Sequence, residues 1–180
     1  MIAVFLADGF EEIEALAVVD ILRRANLDVK TIAVDTLMPE GAHGIEVVCN
    51  LLDVEIEDIS NISAVILPGG MPGTLNMEKS EIVQEALRYA VEHNLHVGAI
   101  CAAPSILGHA GYLQGKKATC YPGFESELTG AILVEDGVIT DGNITTGCGP
   151  GVAVDFALEI VRVLVSAEKA DEIRRGMQCR

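Results

Sequence analysis

The 180-residue chain is half apolar, a length and composition that suit one globular domain spanning 1–180. Twenty-seven acidic side chains against twelve Lys and Arg leave a formal charge of −15, which repels phosphate backbones and anionic lipid. No nucleic-acid or membrane partner is therefore expected, and the longest apolar stretches, 2–7 and 97–103, fall far short of the roughly 18 residues of a membrane span.

In chain order, 2–7 reads as a buried strand and Asp8-Gly9 as a turn into a helix over 11–25 that buries Ile13, Leu16, Ala17 and Ile21. A second strand, 29–34, follows a short turn and makes a βαβ unit with parallel pairing. The run 45–48 reads as a shorter edge strand, and 64–67 as a core strand ended by Pro68-Gly69-Gly70. Ile82, Val83, Ala86, Leu87, Ala90 and Val91 then repeat with helical period, and 95–100 returns as a strand. A helix through His109 follows, then β-like runs at 118–120, 131–134 and 138–140, and a last core strand at 144–146. Residues 147–151 turn into an apolar-faced helix over 152–164, and the charged tail 168–175 reads as helical. The alternation of apolar strands with helices predicts a doubly wound, mostly parallel sheet covered on both faces. Ligands in that architecture sit at the carboxyl ends of the strands, where 8–14, 69–74 and 101–105 fall.

Cys101 lies where a buried strand gives way to Ala102, Ala103 and Pro104, the pattern of a nucleophile elbow. A thiol facing a helix N-terminus is expected to have a pKa below about 8.5, whereas a small buried cysteine is the alternative reading. Gly69 and Gly70 can aim N–H groups at a developing oxyanion, with the Ala102 N–H as a second donor, or can simply form a turn. Glu11 and Glu12 suit the start of a helix. Glu14 is placed to point inward, where its pKa would be raised and it could shuttle a proton. None of His43, His93, His96 and His109 sits in a motif, and they read as surface or structural residues. Cys49, Cys120, Cys148 and Cys179 lack CxxC or CxxH spacing, so no zinc site or other metal is expected. An odd number of cysteines without framework spacing suits a reducing compartment. With no basic leader before 2–7, no signal peptide is expected, and the cytoplasm is the expected compartment.

Together, "DGFEEIEAL", "VILPGGMPGTLN", "AICAAPSIL" and "GPGVAVDFALEIV" resemble the ThiJ/PfpI superfamily, most closely its Parkinsonism-associated protein deglycase (DJ-one) branch. The resemblance runs nearly end to end. It implies a flavodoxin-like three-layer α/β sandwich, a homodimer, Cys101 as the reactive elbow cysteine, Glu14 as the acid bonded to its sulfur, and Gly70 with Ala102 as backbone donors. The peptidase-like branches place histidine after the nucleophile; Ala102 stands there instead and weakens a peptidase reading. Tyr121 occupies the place of a pocket histidine, and His43 and Cys148 fall where the branch often carries basic residues.

The function so implied is a glyoxalase or deglycase acting on methylglyoxal or its early adducts, with no metal or organic cofactor. A non-catalytic redox sensor or chaperone-like homodimer built on an oxidisable Cys101 is the alternative from another class. The thiazole-phosphate biosynthesis label often attached to such chains has no residue arguing for it.

Overall fold

The computed structural model describes residues 1–179. The first strand, β1 (Ile2–Leu6), alternates across the sheet: Ile2, Val4 and Leu6 pack into one core, Ala3 and Phe5 into the other. Burial on both faces explains why the run is apolar without a break. Helix α1 (Glu12–Arg24) follows, and β2 (Val29–Ala33) pairs parallel with β1. A two-residue edge strand, β3 (Leu51–Leu52), adds to β2. Then come β4 (Ala64–Leu67), α2 (Gly73–Lys79), α3 (Glu81–Glu92), β5 (His96–Ile100) and α4 (Pro104–His109). A small parallel ribbon of β6 (Lys117–Ala118) and β7 (Ile132–Leu133) stands apart from the main sheet. The chain closes with β8 (Val138–Asp141), β9 (Ile144–Gly147), α5 (Ala153–Leu164) and α6 (Ala167–Gly176).

The seven-stranded sheet has the order β3-β2-β1-β4-β5-β9-β8, parallel except for β8 against β9. Residues of α1, α5 and α6 pack with one core; those of α2, α3 and α4 pack with the other. This is a flavodoxin-like α/β sandwich, as expected. Chain order reverses between β1 and β4, so the crevice at the carboxyl ends of β1, β4 and β5 lies at the topological switch point.

Two expectations fail. Helix α1 buries Glu14, Ala15, Val18, Val19, Ile21 and Leu22, whereas Ile13 and Leu16 are 59% and 39% exposed. The helix packs its Ala15 and Val18 side against α5 and the sheet, which leaves Ile13 and Leu16 facing outward as apolar surface. Residues 45–48 form no strand beyond an isolated bridge between Glu40 and Glu46, and Ile45 and Val48 are exposed. The edge strand instead lies at Leu51–Leu52, beside β2, where backbone partners exist. Helix α2 was not foreseen: Pro72 and Gly73 at its start read as turn residues.

Candidate active site

Cys101 follows β5 directly and has φ = +64°, the left-handed conformation that non-glycine residues rarely adopt. Its N–H donates to the Gly147 carbonyl at 2.9 Å, and its own carbonyl accepts from the Tyr121 N–H at 2.9 Å. With Pro104 opening α4 three residues on, this is the strained strand-to-helix turn of an elbow. The side chain is thereby lifted toward the ends of β1 and β4.

Glu14 meets it there from the first turn of α1, fully buried. Its Oε2 accepts the Gly69 N–H at 2.7 Å, and the Gly69 carbonyl in turn accepts the Glu11 N–H at 2.9 Å. Gly69 is thus held at both ends by the start of α1. A Cβ on this residue would lie 2.7 Å from the Cys101 Cβ and 2.9 Å from Glu14 Oε2, so only glycine admits the thiol and the carboxyl together. Oε1 of Glu14 is buried with no partner of ordinary geometry among the described residues, while the carboxyl lies within hydrogen-bonding reach of the thiol.

Burial pushes the Glu14 carboxyl up to about 7, against the pull of the Gly69 N–H and the Cys101 thiol; the Glu11 charge adds to the rise. Burial, and then the Glu14 charge and hydrogen bond, push the Cys101 thiol up to about 12, although the Ala102 and Gly70 N–H groups facing the sulfur pull it down. The direction is opposite to that expected for a thiol at a helix start. Desolvation and a neighbouring acid outweigh a short helix end. Chemically, the arrangement is a neutral thiol beside a carboxylate of nearly neutral pKa, which can take the thiol's proton as the sulfur attacks.

The remaining residues divide. The Gly69 N–H stands at the acid, and the Gly70 and Ala102 N–H groups stand at the sulfur. Tyr121 is tied to the elbow by its main chain, and its half-exposed ring lies against Gly149. Cys148 follows β9 but lines a separate cavity with Cys120. His43 does not reach Cys101 of its own chain. It is exposed on a shallow depression with Glu11, Glu12, Ile13 and Ile45. Its Nδ1 lies 2.8 Å from Glu12 Oε2, and its main-chain N–H donates to Glu12 Oε1 at 2.7 Å. Burial opposes the charge on Glu12, yet these bonds hold its carboxyl below the ordinary value. Glu12 therefore does more than start a helix, a role that no local spacing reveals. Among the described residues, Glu11, Glu12 and His43 form the one group of three metal-ligating side chains, with atoms within 4.8 Å of one another. No described helix is long and apolar enough to cross a membrane.

A thiol on an elbow beside a buried carboxyl, at the switch point of a flavodoxin-like sheet, defines the class of protein. The chain belongs to the DJ-1/PfpI family, whose model matches residues 1–163. It is 36% identical to protein dj-1beta of Drosophila melanogaster over 97% of this chain and 94% of that protein. It is 32% identical to the glutathione-independent glyoxalase DJR-1.2 of Caenorhabditis elegans over 93% and 89%. Protein DJ-1 homolog A of Arabidopsis thaliana is 39% identical over 97% of this chain. The chain spans less than half of that plant protein and of its homolog B, 45% and 40% of their lengths. The solved structure of oxidized Toxoplasma gondii DJ-1 superposes with a TM-score of 0.93 at 31% identity, covering 98% of this chain and 97% of that one.

Proposed function

We propose that the protein is a cysteine-dependent glyoxalase or deglycase-type enzyme that acts on methylglyoxal or its early adducts. The observation that carries this reading is the placement of Glu14, with a pKa of about 7, against the Cys101 thiol. The similarity to a protein named as a glutathione-independent glyoxalase supports it.

Cys101 Sγ adds to the aldehyde carbon, its proton passes through the Glu14 carboxylate to the aldehyde oxygen, and a hemithioacetal forms. The Gly70 and Ala102 N–H groups, which face the sulfur, take up the negative charge that develops on oxygen in this reading. Glu14, again a carboxylate, takes the proton from the former aldehyde carbon and delivers it to the neighbouring carbonyl carbon while the hydroxyl proton moves to the neighbouring oxygen, which turns the hemithioacetal into a lactyl thioester. Water attacks the thioester carbon, the thiolate leaves, and lactate is released as one water proton goes to sulfur and the other to solvent. Each step uses this chain's own residues and water, and the reaction calls for no metal or organic cofactor.

The exposed Ile13, Leu16 and Ile45 beside His43 form the face by which two copies pair as a homodimer in this reading. The second reading, redox sensing by oxidised Cys101, is favoured by the partly exposed thiol ringed by N–H donors.

Incubation with methylglyoxal distinguishes the two. An enzyme forms lactate with many turnovers and shows a transient adduct on the Cys101 peptide by mass spectrometry, and C101S shows neither. A wild-type protein that forms no lactate while Cys101 is converted to a sulfinate by peroxide overturns the enzymatic reading.

A further inference from the structure

Cys120 and Cys148 lie outside the chemistry assigned to Cys101, yet the fold brings them together. Cys120 comes just after β6 and Cys148 just after β9, and the two segments are joined where the Thr119 N–H donates to Thr146 Oγ1 at 3.0 Å. The Cys101 peptide runs between them, with its N–H on the Gly147 carbonyl and its carbonyl on the Tyr121 N–H, both at 2.9 Å. Each thiol thus adjoins a residue bonded to the same peptide. Both side chains line one cavity of about 510 Å³ with Glu125, Val134 and Glu135, and Cys101 does not. Cys120 is buried and Cys148 partly exposed. The two are close enough for the charge on one to act on the other: burial, Glu125 and then Cys148 push the Cys120 thiol up to about 11.

We infer that Cys120 and Cys148 form a second, redox-active dithiol site that hydrogen peroxide closes to an intramolecular disulfide. Cys148, the more accessible thiol, reacts first. Its thiolate attacks a peroxide oxygen, and the hydroxide released takes a proton and leaves as water, so that Cys148 becomes a sulfenic acid. Cys120 sulfur then attacks the sulfenic sulfur, the S–S bond forms, and the departing hydroxide takes the Cys120 proton to leave as a second water. Two electrons pass from the two sulfurs to one peroxide. A small dithiol reverses the step by exchange through a mixed disulfide. The bridge would join the two segments that hold both ends of the Cys101 peptide, so its formation acts on the elbow without touching the elbow thiol.

The inference does not rest on the activity proposed for Cys101, and its test removes that thiol. C101S protein is treated with hydrogen peroxide, alkylated and digested without reduction, with the wild-type chain mapped in parallel. The expected result in both is a Cys120–Cys148 linked peptide about 2 Da lighter than its two reduced halves, and in C101S a loss of about two free thiols per denatured chain with full recovery by dithiothreitol. With C120S in the same background, Cys148 is expected to be trapped as a dimedone adduct and no linked peptide to form. Cys148 carried to sulfinate while Cys120 stays reduced, or an exclusive link of Cys148 to another chain or another cysteine, overturns the inference.

Discussion

Burial lifts the Glu14 carboxyl to about 7, so near neutral pH its charged and neutral forms coexist beside Cys101. The same shift costs the fold stability. The folded chain holds the proton more tightly than the unfolded one, whose value is 4.5, so stability falls as pH rises from about 4.5 to about 7 and stays reduced above that. A penalty of order 3 kcal/mol follows for this buried group at pH 8. E14Q is therefore expected to unfold at a higher temperature than wild type at pH 8, with the advantage gone near pH 4.5. Calorimetry at the two pH values checks this, and equal melting temperatures at pH 8 would contradict it. The acid's position was legible from its turn around the helix relative to Glu11, and its place beside the sulfur from the family resemblance of the motif around it. The direction of the thiol's shift was not, because desolvation and the carboxyl charge arise only when α1, β4 and β5 are packed.

Among the elements, the turn after β4 and the elbow after β5 fit together only through the missing side chain of Gly69. Gly69→Ala is expected to keep the fold while displacing the thiol from the acid, and a misplacement on the order of 1 Å can cost ~100-fold in rate. Circular dichroism alongside a lactate assay tests this, and an alanine variant with wild-type turnover would contradict it. His109 ties three site-bearing segments on the other side of the elbow. At the end of α4 its Nδ1 lies 2.5 Å from Glu78 of α2, and its Nε2 lies 2.9 Å from Glu127, in the turn after Tyr121. Hydrogen bonds to Glu78 and Glu127 raise the His109 pKa. The stabilisation is complete below about 6.5 and is lost as pH rises through the higher folded value. H109Q should accordingly lower the urea midpoint more at pH 5.5 than at pH 9, and an equal loss at both would refute the charged tie. In the sequence His109 carried no motif, since its partners lie on α2 and on a turn remote in the chain. The core strands were legible because burial on both faces writes unbroken apolar runs. Residues 45–48 misled because Ile45 and Val48 face outward and only Val47 packs against the core.

For the molecule as a whole, the chain order of most strands and helices followed from the alternation of apolar runs, and the crevice from the rule that ligands in a doubly wound sheet sit at the carboxyl ends of the strands, whereas the reversal between β1 and β4 is set by strand pairing. The outward apolar face of Ile13, Leu16 and Ile45 could not be read from helical period alone, because the period shows that a helix has an apolar side without saying how wide it is. In a chain of charge −15, where like copies repel, such a face is the surface on which the proposed homodimer depends. Ile13→Glu is expected to shift the sedimentation coefficient from dimer to monomer, and an unchanged dimer would place the interface elsewhere. In the proposed reaction Glu14 takes the proton of Cys101 as the sulfur attacks an aldehyde. It is tested most directly by the pH profile of kcat/KM for lactate formation from methylglyoxal. Wild-type activity should rise with the ionisation of one group near pH 7, while E14Q should lose ~100-fold or more and lose that rise. A profile with the same inflection in E14Q, or wild-type activity in that variant, would contradict it.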